Sequence, residues 1–161
     1  MSAARILIAG IGNIFLGDDA FGVEVARRLA TRPLPPGVRV VDFGIRGLDL
    51  TYALLENYDR VILVDVVQRG GKPGTLYLIE PEWEDAGAMQ THEMAPAQAL
   101  AAAKAMGAAL TNVVIIGCEP ESFGSEDEPR LGLSRAVEAA VEEAAAWIEE
   151  MAVKGQEAEH A

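Results

Sequence analysis

A continuous aliphatic run, Val61-Ile-Leu-Val64, ends on a carboxylate, Asp65. A strand that is apolar at consecutive positions needs cover on both faces, and a parallel sheet flanked by helices supplies it. Three further short apolar runs, at residues 5–10, 38–41 and 112–117, read as companion strands of this one at 60–67. Helical patterns lie between them. Val23, Ala26, Arg27, Leu29 and Ala30 follow Asp18-Asp19 at helical spacing, and Pro33, Pro35 and Pro36 stop that helix. Leu48, Tyr52 and Leu55 form one stripe over residues 48–55. Residues 95–106 are alanine-rich and helical, and Ser134 is placed to cap a last helix reaching about Met151. The alternation predicts an α/β layer fold with a mostly parallel sheet. One strand departs from it. Residues 68–74 are a glycine- and proline-marked turn, too short for a parallel crossover of about a dozen residues, so residues 75–79 are expected antiparallel beside the third strand.

The 161 residues suit one domain, expected over 1–153, with a polar tail at 154–161 that frays and contains His160. No apolar run approaches the roughly 20 residues of a membrane span, and the first five residues are too short for a signal peptide, so a cytoplasmic location and no membrane insertion are expected. The net charge of −12 opposes binding to phosphate backbones, which sets nucleic acid aside as a partner. The lone cysteine, Cys118, cannot form an internal disulfide; closing an apolar run, it is either a packing residue or a reactive thiol.

Ligands of open α/β sheets bind beyond the carboxyl ends of the strands. Asn13, Asp18 and Asp19 follow the first strand, Asp42 the second, Asp65 ends the third, and Glu119 follows the last. A carboxylate after four aliphatic residues is costly unless it caps a loop, meets a cation such as Arg46, or binds metal. Several acidic groups converging on one edge favour a cation to hold them. His92, the one histidine before the tail, is either a cap for the following helix or a ligand. With Asp19 and Asp65 it makes an imidazole and two carboxylates, a set suited to nickel, zinc or cobalt, with open positions for water or substrate.

Two other chemistries fit less well. The segment Gly10-Ile-Gly-Asn-Ile-Phe-Leu-Gly17 starts like a dinucleotide fingerprint, and Asp42 stands at a ribose-binding distance. Yet Phe15 occupies the third glycine position, and Asp18-Asp19 sit where pyrophosphate would have to approach. No nucleotide cofactor is expected. A serine or cysteine hydrolase lacks its G-x-S-x-G or flanking cysteine signature.

Read together, five segments resemble the hydrogenase maturation endopeptidases. They are residues 8–22, Ile8-Ala-Gly-Ile-Gly-Asn-Ile-Phe-Leu-Gly-Asp-Asp-Ala-Phe-Gly22; Asp42-Phe-Gly-Ile-Arg-Gly47, like the family's D-G-G-x-x-G; Val61-Ile-Leu-Val-Asp65; Thr91-His92; and Ile116-Gly-Cys-Glu-Pro-Glu121 with Gly132-Leu-Ser134. The resemblance runs from about residue 5 to 150. It implies a three-layer α/β/α sandwich with a twisted, mostly parallel five-stranded sheet. It implies catalytic and metal-contacting roles for Asp19, Asp65 and His92; beside them, substrate contacts are expected at Asp42, Gly44, Arg46 and Gly47, where Arg46 and the backbone at 44–47 would stabilise an oxyanion or grip the peptide. The implied metal is nickel supplied by the substrate, a nickel–iron hydrogenase large-subunit precursor from which a C-terminal peptide is removed by a monomeric enzyme. Phe43-Gly-Ile-Arg46 departs from the small residues common there and bears on which hydrogenase is the partner. Two alternatives remain at this stage: a metallohydrolase with its own zinc, and an escort that binds the large subunit without cutting.

Overall fold

The computed structural model describes residues 3–83, 89–90, 94–125 and 127–160. Strand β1 (Ile6–Ile11) leads through a 3-10 turn (Gly17–Ala20) into helix α1 (Phe21–Leu29). Strand β2 (Val38–Gly44), helix α2 (Gly47–Leu54), strand β3 (Arg60–Val66) and strand β4 (Leu76–Ile79) follow. Then come the short strands β5 (Glu82–Trp83) and β6 (Met89–Gln90), helix α3 (Met94–Ala105), strand β7 (Val113–Cys118) and helix α4 (Arg135–His160). The main sheet has five strands in the order β2-β1-β3-β7-β4. All pairings are parallel except that of β4 with β7.

Strand alternation divides the core into two. Ile6, Ile8, Ile62, Val64 and Ile116 pack against α1 and α4 through Phe21, Val25, Val141 and Ile148. Leu7, Leu63 and Ile115 pack on the other face against Leu50 and Leu54 of α2 and Leu100 of α3. The sheet is therefore covered on both sides, giving the α/β/α sandwich expected. By the same alternation Asp65 stands on the α2–α3 face, next in line after Val61 and Leu63.

Glycine sets how closely the first helix approaches. A Cβ on Gly22 would lie 2.1 Å from the Val64 carbonyl oxygen and 2.4 Å from that of Ile11. One on Gly10 would lie 2.3 Å from the carbonyl oxygen of Gly22. The first turn of α1 thus rests on the backbones of β1 and β3, and this contact holds the preceding 3-10 turn over the strand ends.

Four details differ from the sequence reading. First, β4 lies beside β7, not β3, because β1 and β7 already occupy both edges of β3; the outer edge of β7 is what remains. The turn at 68–74 passes the end of β7 to reach it, with Gly74 N–H donating to the Glu119 carbonyl (2.8 Å) and Glu119 N–H to that of Thr75 (2.9 Å). Second, two short antiparallel strands, β5 and β6, lie between β4 and α3, where the sequence reading has no strand. Third, the final helix continues past Met151 and through Gly155 to His160. Fourth, Leu48 and Tyr52 face solvent, while α2 buries Leu50, Thr51, Ala53 and Leu54. Among the described residues no helix is long and apolar enough to cross a membrane.

Candidate active site

A half-open cleft of about 130 Å³ lies at the carboxyl ends of β1, β2 and β3. Ile11, Gly12, Asp19, Phe43, Gly44, Ile45, Arg46, Gly47, Leu50 and Asp65 line it. Of the residues singled out from sequence, Asp19, Asp65, Gly44, Arg46 and Gly47 are brought together here. His92 lies outside the described residues. Among those described, no three histidine, cysteine, aspartate or glutamate side chains gather as a metal cage; the cleft supplies two carboxylates.

Each carboxylate is held by backbone. Asp19 Oδ2 accepts the Asn13 N–H at 2.9 Å, and the Asn13 side chain in turn accepts the Phe15 N–H at 2.9 Å. Gly12, at φ 148°, lets this loop close: a Cβ there would fall 1.8 Å from the Asp19 carbonyl oxygen. Burial raises the Asp19 pKa above its ordinary value, and the Asn13 hydrogen bond opposes that rise. Asp65 is 6 % exposed, and its Oδ1 accepts the Val66 N–H at 2.8 Å. A carboxyl that burial disfavours as an anion gains most from a cation placed in the same cleft. Two carboxylate groups in one cleft can hold a divalent cation.

The opposite wall comes from an irregular end of β2. Gly10 pairs with Asp42, but Ile11 pairs with Gly44, so Phe43 is an extra residue that buries beneath the cleft. Arg46 then clamps the turn. Its Nε donates to the Phe43 carbonyl at 3.2 Å, Nη2 to the Asp42 carbonyl at 2.5 Å, and Nη1 to Asp49 Oδ2 at 3.1 Å. The partner of Arg46 is therefore Asp49, not the side chain of Asp42. Asp42 itself turns away from the cleft, with Oδ2 3.5 Å from Arg27 Nε on α1. Asp49, one helical turn after Arg46, was missed; its i, i+3 spacing from Arg46 was the available signal.

Two other strand-end carboxylates are internal fasteners. Asp18, 1 % exposed, accepts four hydrogen bonds: Ser134 N–H (2.7 Å), Glu121 N–H (2.8 Å), Ser134 hydroxyl (2.9 Å) and Ser122 N–H (3.1 Å). Burial works to raise its pKa, but these donors prevail and hold it below the usual carboxylate value. The Ser134 hydroxyl is thereby directed to Asp18, while the Ser134 carbonyl accepts the Glu138 N–H as α4 begins. Glu119 Oε1 accepts from Arg69 N–H (2.9 Å), Gly71 N–H (3.0 Å) and the Tyr77 hydroxyl (2.8 Å). Burial again works upward, and these bonds bring Glu119 below its ordinary value. Cys118 is fully buried; burial first, then the charges of Asp18 and Glu119, push its thiol up to about 12, which makes it a packing residue.

Comparison with known proteins supplies the family. Residues 23–151 match the family model described as hydrogenase maturation protease. The hydrogenase expression/formation protein HupD of Rhodobacter capsulatus is 35 % identical over 153 residues, covering 89 % of this chain and 72 % of that protein. The hydrogenase 2 maturation protease of Escherichia coli K12 is 34 % identical over 145 residues, covering 87 % and 85 %. The solved structure of the hydrogenase maturating endopeptidase HYBD from E. coli superposes with a TM-score of 0.73 at 33 % identity, over 89 % of each chain.

Proposed function

The chain belongs to the hydrogenase maturation protease family, and within it we propose that it removes a C-terminal peptide from the nickel-loaded precursor of a nickel–iron hydrogenase large subunit. The observation that carries this reading is the meeting of Asp19 and Asp65 in one cleft at the carboxyl ends of β1 and β3. The nickel is cargo of the precursor and hence part of the substrate. Asp19 and Asp65 are oriented by the Asn13 and Val66 amides to complete its coordination, with His92 as the third ligand. Held there, the metal can polarise the scissile carbonyl or activate water.

The protein's own share is placement. Ile11, Phe43 and Leu50 give the cleft apolar walls, and the residues at 44–47 form a lip along which an extended chain can lie. Fixing the tail of the precursor against two anchored carboxylates turns cleavage into a reaction within one complex, where orientation supplies much of the acceleration. Arg46 spends its donors on Asp49 and on the carbonyls of Asp42 and Phe43, so its role in this mechanism is to keep the lip in shape rather than to receive an oxyanion. A cytoplasmic site of action and a monomeric enzyme belong to the same proposal.

The test is the intact mass of the large-subunit precursor, with and without nickel, after incubation with this protein. Loss of a C-terminal peptide from the nickel-loaded form alone is the expected result. Equal cleavage of both forms would remove the nickel gate and favour a self-contained hydrolase. Binding to the nickel-loaded precursor without any mass change would refute the protease.

A further inference from the structure

Helix α2 carries an apolar stripe on its solvent side. Leu48 is 66 % exposed and Tyr52, one turn later, 56 %; Ile45, just before the helix, is 76 % exposed. None of the three contributes to folding the helix onto the sheet, which Leu50, Ala53 and Leu54 accomplish from the other side. Ile45 also lines the cleft, so the stripe starts at its lip and runs away along α2. The spacing of four residues puts Leu48 and Tyr52 on one helical face, and Ile45 stands in the turn before it, at the lip of the cleft. Contiguous large apolar groups left in water mark a place where another surface is to be buried.

The size of the cleft says what that surface is. About 130 Å³ is well under the roughly 300–1,000 Å³ of a site that engulfs a drug-sized ligand. It admits a short piece of chain around the scissile bond. Selecting one protein from many takes on the order of 800 Å² on each partner, and most of that area has to lie outside the cleft. The surroundings of the stripe suit a protein partner. Arg46 is neutralised by Asp49 at 3.1 Å and Arg39 by Glu56 at 3.3 Å, giving an apolar strip with a polar, charge-balanced margin. The solvent face of α4, with Glu138, Glu142, Glu143, Glu149 and Glu150, offers no such surface.

We propose that Ile45, Leu48 and Tyr52 form a docking strip for an apolar patch of the folded precursor next to the segment being cut. This rests on the reading above that the substrate is the large-subunit precursor, and it places recognition of that protein on α2, outside the reacting groups. The strip raises the residence of the precursor on the enzyme without touching the scissile bond.

The experiment compares the wild-type protein with Leu48→Gln/Tyr52→Gln, which keeps helix propensity and removes the apolar surface. A remote control, Val153→Gln, alters an exposed apolar residue of α4. Cleavage of the nickel-loaded precursor is followed by intact mass over a range of precursor concentrations. The expected result is a KM raised about tenfold or more in the double variant, with kcat within about twofold, an unchanged melting temperature, and a control equal to wild type. An unchanged KM in a double variant of a protein whose wild type cleaves would overturn the docking strip and leave the proposed function standing. A wild type that does not cleave the precursor would refute the proposed function, and the docking strip with it. A melting temperature lowered by several degrees would show that the stripe is covered by this chain itself. A dimeric wild type that the double substitution makes monomeric would show that its occupant is a second copy; either result overturns the proposal.

Discussion

Replacing Asp18 by asparagine tests the claim that this residue fastens the molecule rather than serving the cleft. The carboxylate accepts four hydrogen bonds, three at Oδ2 and one at Oδ1, while almost wholly buried. An amide can keep its oxygen at the Oδ2 position, but its NH₂ then confronts the Ser134 N–H. The lost bond to a charged acceptor is worth about 1.5–3 kcal/mol, and stranding a buried donor costs about 1–3 kcal/mol. The three surviving bonds weaken as well, because a neutral oxygen replaces a charged one. Together these give a loss of about 3–5 kcal/mol, at the upper end for a single substitution. For a domain of this length that lowers the melting temperature by roughly 10 °C. Urea denaturation at pH 7 is the assay, with the midpoint moving and the slope constant. The pH dependence supplies a second check. Since the folded-state pKa of Asp18 is depressed, its stabilising contribution is fully present above the unfolded value of about 3.9 and is lost as pH falls through the folded one. The gap between wild type and Asp18→Asn should therefore narrow below about pH 4. A loss under about 1 kcal/mol at pH 7, or a gap that widens on acidification, would refute the reasoning.

Asp19→Asn should abolish cleavage yet raise the denaturation midpoint at pH 7, because burial opposes the charge of Asp19 and an amide can still accept from Asn13; a lowered midpoint would contradict this. Asp65→Ala should likewise stop cleavage, and normal processing by that variant, read by precursor mass, would remove Asp65 from the site. Gly22→Ala should unfold the protein or cost more than about 4 kcal/mol, since its Cβ meets two strand carbonyls; a soluble variant with wild-type melting would show that α1 can stand off from the sheet. Cys118 should resist iodoacetamide at pH 8 in the native state and react in urea, as its thiol is pushed up to about 12; rapid native alkylation would contradict its burial.

The layer order was legible because it depends on local pattern. Val61-Ile-Leu-Val64 has to be covered on both faces, and the intervening helical segments are what is available to cover it. Where the outcome depends on competition among distant segments, local pattern runs out. The turn at 68–74 correctly implies an antiparallel strand, but a strand at 113–118, much later in the chain, decides that β3 has no free edge to offer it. Helix α2 misleads for a related reason. Leu48, Tyr52 and Leu55 are as good a stripe as Leu50, Ala53 and Leu54, and only the position of the helix on the sheet chooses between them.

The site shows the same division at the level of single carboxylates. Position at a strand end alone makes Asp18, Asp19, Asp42, Asp65 and Glu119 equal candidates, from which the sequence reading took Asp19 and Asp65 to join His92. What separates them is where each one is placed by the fold. Asp18 and Glu119 meet several each, from loops remote in sequence, and are used up as fasteners. Asp42, still in register with Gly10 ahead of the irregularity, lies beside Arg27. Asp19 and Asp65 line the cleft, each accepting an amide N–H from its own neighbourhood, Asn13 and Val66. An anion with many fixed donors is already neutralised and has no use for a cation, whereas Asp19, at a cleft wall against the resistance of burial, gains from one. The fasteners and the cleft residues are thus parts of one arrangement: Asp18 ties the turn at 17–20 to the loop after β7 and to the start of α4, and that turn carries Asp19. The stability tested at Asp18 and the cleavage tested at Asp19 are adjacent in the chain and opposite in sign, one carboxylate that the fold holds firmly beside one that it tolerates for what the cleft must bind.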